Sequence, residues 1–308
     1  MNVKLLSVVL AIMVGVAIAG GVLFVVKRPS EQPVGQSEDQ PFEWVSDITP
    51  GSGAASPPGG TSNDGPWNHR VMSASSSDGL TWVKNEKIAD QASVPDAVLD
   101  KDNNIRIYYI DWYNGHVISV ALSHNGINWI YKKTTIQGEV AGSQGAISPV
   151  DPDIVLLPDG RYRLFYMYAG KIYSAISNCG INFVKEEGVR YQQEGMIYDP
   201  DVIKMGDVWR MFVSLGTRNL STVSNDGLSF SRENELPFDG SVSCTIPLEN
   251  GYRMYYMRQG GIFSSFSSDG RNWAFEGLRL DNAGDPTIIR LQNGTYKMFY
   301  KTWINPTP

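Results

Sequence analysis

The sequence predicts an all-β chain folded as a five-bladed β-propeller, and three repeated features carry that prediction. A short turn motif occurs five times, an inner-strand motif recurs between the turns, and an aromatic strand follows each inner-strand motif. Successive turn motifs begin 47, 54, 47 and 43 residues apart. A repeat of about 40 to 50 residues with one aromatic hairpin per unit is typical of propeller blades.

The turn motif reads Ser-x-(Asp/Asn/Cys)-Gly-x-(Thr/Asn/Ser)-(Trp/Phe). Its five copies begin at Ser76, Ser123, Ser177, Ser224 and Ser267. Asp-Gly and Asn-Gly pairs favour the positive φ values of a type I′ hairpin turn, and we expect the aromatic residue to cover the edge of its blade. Cys179 replaces Asp or Asn in the third copy, which predicts a weaker turn. The motif resembles the Asp box of sialidases and related propellers, a structural element that indicates fold rather than reaction.

The order of the motifs along the chain predicts how the ring of blades closes. Inner-strand motifs built on Asp-Pro or Pro-Asp lie at residues 94–99, 151–156, 199–204 and 285–290, with a degenerate copy at 242–247. The first turn motif precedes all of them, and the last inner-strand pair, residues 285–303, follows the last turn motif. Residues 69–84 are therefore predicted to supply the outer two strands of the last blade, which leaves no open sheet edge.

The N-terminal region is predicted to lie outside the propeller. Residues 5–26 form a stretch of 22 residues without a charge, and about 20 such residues span a bilayer. Segment 1–28 is therefore predicted to be a transmembrane anchor, with a cleaved signal peptide as the alternative. Residues 29–66 are rich in Pro, Gly and Ser and are predicted to be a disordered linker. Residues 67–308 form the predicted propeller, which we expect outside the cytoplasm, anchored to the membrane or secreted if the segment is cleaved.

Composition and motifs exclude several classes of partner. The net charge of −6 argues against nucleic acid or anionic lipid as the main partner. The sequence has no glycine-rich phosphate loop that enters a helix, which argues against nucleotides. Cys179 and Cys244 lie in different repeats, so neither a disulfide framework nor a Cys/His metal site is indicated. No cofactor is expected, although a cluster of acids would also suit Ca²⁺.

The inner-strand motifs are predicted to converge with the loops after the second strands on one face of the propeller, here called the mouth. Asp151, Asp199 and Asp285 precede a proline, and Asp96, Asp153 and Asp201 occupy the position two residues further on. Side chains two residues apart project from the same side of a strand. The mouth is therefore expected to hold up to six carboxylates, with Glu194 close in sequence, and clustered acids raise one another's pKa.

A five-bladed propeller with Asp-Pro at several inner strands resembles the arabinanase, β-xylosidase, invertase and levansucrase group of glycoside hydrolases and transferases. The resemblance covers residues 69–303. It implies a glycan or oligosaccharide as partner and three carboxylates at the inner strands of successive blades: a base or nucleophile, an orienting aspartate and a glutamate acid. The corresponding candidates for catalysis are Asp96, Asp153, Asp199 and Glu194. The third position holds Asp199-Pro200 instead of Glu-x-Pro, so Glu194 would act from the preceding loop.

Candidates for substrate binding fall where the chain leaves the second strands at the mouth. Aromatic rings there would stack on sugars, and arginines would bind hydroxyl or carboxylate groups; packing between blades is the alternative role. The candidates are Trp112, Tyr113, Tyr168, Arg218, Arg258, Asp285 and Trp303.

Three functional hypotheses remain open from the sequence. The first is a membrane-tethered glycosidase that uses the mouth carboxylates. The second is a noncatalytic propeller that binds glycan or protein at the same face and keeps the Asp-Pro motifs as scaffold. A sialidase is a weaker third hypothesis, since it requires an arginine triad, a Tyr-Glu pair and usually six blades.

Overall fold

The computed structural model describes residues 42–59, 62–139 and 148–305, which belong to one compact unit, Phe42–Pro308. The predicted transmembrane segment 1–28 lies outside the described residues and stays a prediction. Among the described residues, the search for a helix long and apolar enough to cross a membrane found none.

Twenty-one β-strands and one short 3-10 helix, Pro66–Asn68, make up the secondary structure of the described residues. The first two strands are β1 (His69–Ser76) and β2 (Val83–Asp90). Blade 1 contains β3 (Ala92–Leu99), β4 (Ile105–Asp111), β5 (Val117–Ser123) and β6 (Ile130–Lys133). After β7 (Thr135–Gln137), blade 2 contains β8 (Val150–Leu156), β9 (Tyr162–Tyr168), β10 (Lys171–Ser177) and β11 (Asn182–Lys185).

Two further blades and a final pair of strands complete the described chain. Blade 3 contains β12 (Tyr198–Met205), β13 (Val208–Leu215), β14 (Arg218–Ser224) and β15 (Ser231–Glu235). Blade 4 contains β16 (Ser241–Leu248), β17 (Gly251–Arg258), β18 (Gly261–Ser267) and β19 (Ala274–Asp281). The last strands are β20 (Gly284–Arg290) and β21 (Tyr296–Trp303).

Blade 5 is assembled from both ends of the propeller, as predicted. Its strand order is β2-β1-β21-β20, and β1 pairs antiparallel with β21 over its full length, from His69 opposite Trp303 to Ser76 opposite Tyr296. The prediction of an all-β, five-bladed propeller closed in this way is confirmed. Blade 2 carries a fifth strand, since β7 pairs in parallel with β11 and covers its outer edge.

Part of the predicted linker lies on the propeller surface. Phe42 and Trp44 pack against a core cluster formed by blades 1 and 2, and the Asp47 N–H donates to the Tyr131 carbonyl over 3.1 Å. The Gly53 N–H donates to a carboxylate oxygen of Asp90 over 2.8 Å. These contacts differ from the disorder predicted for residues 29–66. Two aromatic side chains provide apolar surface that the Pro/Gly/Ser-rich average composition of the segment conceals.

In all five turn motifs the Ser hydroxyl accepts the Gly N–H, and in four of them the Asp or Asn side chain accepts two further N–H groups. In the first, the Ser76 hydroxyl accepts the Gly79 N–H over 2.8 Å, and Asp78 Oδ1 accepts the N–H groups of Leu80 and Thr81, each over 2.8 Å. The motif glycines all have φ between +70° and +72°, whereas Asp78 keeps a negative φ. The type I′ prediction was therefore wrong, because that turn requires positive φ at both central residues.

The aromatic residue of each turn packs on the neighbouring blade rather than on the edge of its own blade. Each one meets a second-strand aromatic ring of the preceding blade edge to face, a favourable geometry for ring pairs. The ring centroids lie 5.8–6.3 Å apart, with interplanar angles of 74–89°. The pairs are Trp82–Tyr255, Trp129–Phe299, Phe183–Tyr108, Phe230–Phe165 and Trp273–Phe212. The turns therefore join all five blades into a closed ring.

The third turn provides a test of this pattern, because a thiol occupies the position of the carboxylate. Cys179 Sγ lies 3.6 Å from Ser177 Oγ, and a thiol is a weak acceptor. Replacing Cys179 by Asp is expected to raise the free energy of unfolding by about 1 kcal/mol, since the new carboxylate can accept the N–H groups of Ile181 and Asn182. Urea denaturation measures the change, and Cys179→Ala is the control. Equal stabilities of the Asp and Ala variants would contradict the prediction.

Candidate active site

The start of each inner strand carries a β-bulge with a non-glycine residue at positive φ. The five residues have φ between +44° and +53°, and a register shift lies beside each of them. They are Val94, Asp151, Asp199, Val242 and Asp285. Such backbone is uncommon for residues with a side chain. Its repetition in all five blades shows that the bulge belongs to the propeller scaffold, which presents these five side chains as one layer, here called the upper layer.

A second layer lies two residues further along each inner strand, here called the lower layer. Its members are Asp96, Asp153, Asp201, Cys244 and Thr287. Each side chain accepts a backbone N–H from the inner strand of the next blade, over distances of 2.7–3.3 Å. The donors are Ile154, Val202, Thr245, Ile288 and Ala97, in the same order. The five hydrogen bonds form a closed ring around the propeller axis.

The lower layer brings three carboxyls together: Asp153 and Asp201 are buried and Asp96 is half-buried. Burial and the neighbouring Asp201 carboxyl raise the pKa of Asp96 to about 7. Burial, Asp96 and Asp201 raise the pKa of Asp153 well above its usual range, and Asp153 Oδ2 has no hydrogen-bond partner among the described residues. The predicted catalytic residues Asp96 and Asp153 therefore lie together near the axis. Asp96 accepts hydrogen bonds at both oxygens, from the Ile154 N–H and from the Thr287 hydroxyl, whereas Asp153 accepts at one.

The upper layer contains the other predicted acids. Asp151 and Asp285 are 6% and 2% exposed, and Asp199 is half-buried. Burial and the Asp285 carboxyl raise the pKa of Asp199 to about 7. Burial and the Asp199 carboxyl raise the pKa of Asp151 well above its usual range. Asp285 forms an ion pair with Lys301, whose Nζ lies 3.1 Å from Oδ1, so the three carboxyls have different electrostatic surroundings.

Four residues missed by the sequence analysis connect Asp285 with the surface. Ser93 Oγ lies 3.4 Å from Asp285 Oδ2 and 3.0 Å from His69 Nδ1. His69 Nε2 lies 2.8 Å from Asp64 Oδ1, and the fourth missed residue is Lys301. His69 was not among the predicted site residues. The predicted pairing of β1 with the last blade could have located it, because that register sets His69 opposite Trp303.

The predicted rim residues occupy three kinds of environment. Trp112 is buried and packs edge to face on Trp67 of the 3-10 helix. Trp303 is half-buried, and its Nε1–H donates to Asp64 over 2.9 Å. Tyr168 is half-buried and packs edge to face against Tyr173.

The remaining candidates lie at exposed positions. Tyr113 is 49% exposed, and Glu194 lies exposed in the loop before β12. Arg218 forms a solvent-exposed ion pair with Asp239 over 3.5 Å. The Arg258 guanidinium lies 5.5 Å from the centre of the Phe263 ring. These side chains remain available to a ligand at the rim, and their binding roles stay predictions.

A groove of about 500 Å³ lies beside the outer strand of blade 3. Two arginines line it, and protein groups already engage both. Arg190 donates to the carbonyls of Glu187 and Gly188, and Arg232 pairs with Glu235 over 2.7 Å. The mouth, which gathers acids with perturbed pKa values, is the better candidate site. No cluster of His, Cys, Asp or Glu in the described parts of the chain has the arrangement of a metal site.

Comparison with known proteins identifies the fold. No family model matches the chain, and the search of curated proteins found no match. Among solved structures, a thermostable family-43 glycoside hydrolase aligns with a TM-score of 0.55 and 12% identity, over 70% of this chain and 95% of that chain. The fold is that of glycoside hydrolase propellers.

Two further solved structures agree with this assignment. An endo-1,4-beta-xylanase from Bacteroides thetaiotaomicron has a TM-score of 0.54 and 13% identity, over 68% of this chain and 84% of that chain. A family 117 glycoside hydrolase from Zobellia galactanivorans has a TM-score of 0.50 and 13% identity, over 70% and 86% respectively. At these identities the likeness concerns the fold.

The buried carboxyls predict how the stability of this glycoside hydrolase-like propeller depends on pH. The pKa of Asp96 is raised in the folded protein from 3.8 to about 7. Its contribution to stability is therefore fully present below the unfolded value and is lost as the pH rises through the folded value. We expect the free energy of unfolding to fall by on the order of 2 kcal/mol between about pH 5 and about pH 8.

Urea denaturation across this pH range measures the effect. Asp96→Asn keeps an oxygen that can accept the Ile154 N–H but cannot ionise, so its stability should depend less on pH. Asp207→Asn, at an exposed turn between β12 and β13, should keep the pH dependence of the unchanged protein. A pH dependence in Asp96→Asn equal to that control would exclude Asp96 as its source.

Proposed function

We propose that the protein hydrolyses glycosidic bonds in a glycan bound at the mouth. The observation that carries the proposal is the contrast between two carboxyls of the upper layer. Asp199 has a pKa raised to about 7 by burial and by Asp285, whereas Asp285 is paired with the Lys301 ammonium. Two carboxyls whose environments differ in this way are suited to act as acid and base.

The reaction follows from these two environments. Protonated Asp199 donates its proton to the glycosidic oxygen as the bond from the anomeric carbon to that oxygen breaks. A water attacks the anomeric carbon, and the Asp285 carboxylate takes its proton. Asp285 is 2% exposed, so it reaches a water in the channel more readily than the sugar ring. Inversion at the anomeric carbon is the expected outcome, with Asp151 orienting Asp199.

The other predicted residues have defined places in this proposal. Asp96 and Asp153 lie one layer below, and their scaffold hydrogen bonds support a structural role. Glu194 is exposed at the rim and is the alternative acid, to be distinguished from Asp199 by substitution. Tyr113 and Trp303 are proposed to stack on sugar rings bound at the rim.

A noncatalytic function of the same face is the second candidate. The lower-layer acids accept hydrogen bonds from backbone N–H groups. These bonds favour this alternative, because they account for several recurring aspartates without catalysis. Under this alternative the mouth binds a glycan or a protein and the acids only support the blades.

We further propose that residues 1–28 anchor the protein in a membrane and hold the propeller outside the cytoplasm. The support is the uncharged stretch of residues 5–26, which is long enough to span a bilayer. Retention of the full chain in the membrane fraction after a high-salt wash would support an anchor. Release into the medium would indicate cleavage.

The catalytic proposal is tested by the full chain in detergent against aryl-glycosides and polysaccharides. Asp199→Asn is expected to reduce kcat by about 10²-fold or more, because it removes the proton donor. In the unchanged protein, kcat should fall as the pH rises through about 7, where Asp199 loses its proton. Asp207→Asn, on the same blade at the opposite end of β12, is the matched control.

Two results would contradict hydrolysis by Asp199. Full activity in Asp199→Asn together with loss in Glu194→Gln would move the acid to the rim. Absence of turnover on every substrate, combined with retention on an immobilised glycan, would establish a tethered binding protein instead.

A further inference from the structure

A continuous line of polar side chains leads from the upper layer to the protein surface. Its contacts join Lys301 to Asp285 over 3.1 Å, Asp285 to Ser93 over 3.4 Å and Ser93 to His69 over 3.0 Å. His69 then contacts Asp64 over 2.8 Å. Ser93 and His69 are 4% and 5% exposed, whereas the Asp64 side chain is 65% exposed. The line therefore begins beside buried acids and ends in solvent.

We propose that Ser93 and His69 form a proton relay that carries protons between Asp285 and the surface carboxylate of Asp64. This inference rests on the proposed hydrolysis, because it assigns a route for the proton that Asp285 takes from the attacking water. Ser93 and His69 are positioning and relay residues, and neither touches the substrate.

Hydrogen-bond counting gives the relay two proton arrangements. Asp64 has a lowered pKa, despite its partial burial, because Trp303 and His69 donate hydrogen bonds to it, so it accepts from His69 Nε2–H. In neutral His69, Nδ1 is then an acceptor and the Ser93 hydroxyl must donate to it. Once Asp285 has taken a proton from the attacking water, it can donate that proton in a hydrogen bond to the Ser93 oxygen, 3.4 Å away.

The second arrangement places the proton at the other end. In protonated His69, Nδ1–H donates to the Ser93 oxygen, and the Ser93 hydroxyl donates to an ionised Asp285. Every contact is satisfied in both arrangements. They differ by the transfer of one proton from Asp285 to His69. The O–H bond of Asp285 breaks, Ser93 gains that proton and gives its own proton to Nδ1 of His69.

The charged groups around the relay favour release of the proton toward the surface. His69 faces Lys301 on one side and Asp285 and Asp64 on the other, and burial and Lys301 lower its pKa. Asp285 faces Lys301, Asp151 and Asp199. The lowered pKa of His69 therefore favours release of its Nε2 proton to water beside Asp64.

An Asp–His–Ser line is also the arrangement of a nucleophilic triad, but the surroundings of Ser93 oppose that role. Its hydroxyl is 4% exposed and lies within 3.4 Å of the Asp285 carboxylate. A developing negative charge on Ser93 would be repelled by that carboxylate. Proton transfer through the hydroxyl leaves Ser93 neutral at every stage.

The relay removes one proton from Asp285 in each turnover, after which His69 must recover its starting tautomer. In the proposed hydrolysis, Asp199 gives one proton to the leaving oxygen and Asp285 gains one from water. Asp285 then passes its proton through Ser93 to His69 Nδ1, and His69 releases its Nε2 proton beside Asp64. The Nδ1–H tautomer that remains must convert to the Nε2–H tautomer before the next transfer. Asp199 recovers a proton from solvent, so the net reaction consumes only water.

Proton NMR of the three histidines tests the relay without requiring turnover. Asp285→Asn in the full chain is expected to lower the pKa of His69 by about one unit, since the facing carboxylate supports the imidazolium. In the Ser93→Ala background, the same substitution should lower the pKa of His69 by no more than about half as much, because Ser93 no longer joins the two sites. Ser73→Ala removes a buried hydroxyl on the same strand as His69, which donates to the Glu86 carbonyl, and should leave the coupling unchanged.

An equal effect of Asp285→Asn with and without Ser93 would overturn the relay, since through-space charge alone would then explain it. If Asp285→Asn fails to fold, the carboxyl carbon resonance of Asp285 is followed by NMR instead, as a function of pH. That resonance should report the titration of His69 in the unchanged protein and lose this step in Ser93→Ala; an unchanged step would overturn the relay. Coupling in a protein without turnover would refute hydrolysis while retaining the relay, so the two failures are distinguishable.

Discussion

The closed ring of side-chain-to-backbone hydrogen bonds in the lower layer is the constraint on which the mouth depends. Each inner strand is bonded to the next through one side chain, from Asp96 to Ile154 around to Thr287 and Ala97. The ring fixes the height of all five inner strands relative to one another. Because the upper layer lies only two residues away along each strand, its acids inherit that fixed arrangement. Aromatic pairs at the turns close a second ring nearer the outside.

The bulge above this ring explains why acids can be gathered at the mouth at all. A positive φ at Asp151, Asp199 and Asp285 places their side chains in the upper layer beside the side chains two residues on. Burial then makes ionisation of neighbouring carboxyls costly. Two effects limit this cost. The pKa values of Asp199 and Asp151 are raised, which favours their neutral forms, and Asp285 forms an ion pair with Lys301.

The chemistry of the mouth depends on closure by both ends of the propeller. Lys301 and Asp285 come from its last strands, His69 from its first strand, and Ser93 from the neighbouring blade. Asp64 comes from the segment before the propeller, which lies against the surface instead of acting as a free linker. The turn motifs differ little from blade to blade, since the hydrogen bonds of the Ser hydroxyl recur in all five. Chemical differences between blades are therefore concentrated at the mouth, where five similar strands carry different side chains.

The sequence by itself determined the architecture, because turn, inner strand and aromatic strand recur with a period that only a ring of blades satisfies. It also located Asp151, Asp199 and Asp285 on one face, since their shared place in a repeat implies a shared place in space. Only the tertiary structure decided what surrounds each acid. The scaffold bonds of Asp96 and Asp153, the ion pair with Lys301 and the line through Ser93 and His69 join residues far apart in sequence. No local pattern encodes such contacts, because they arise from register between blades and from closure of the ring.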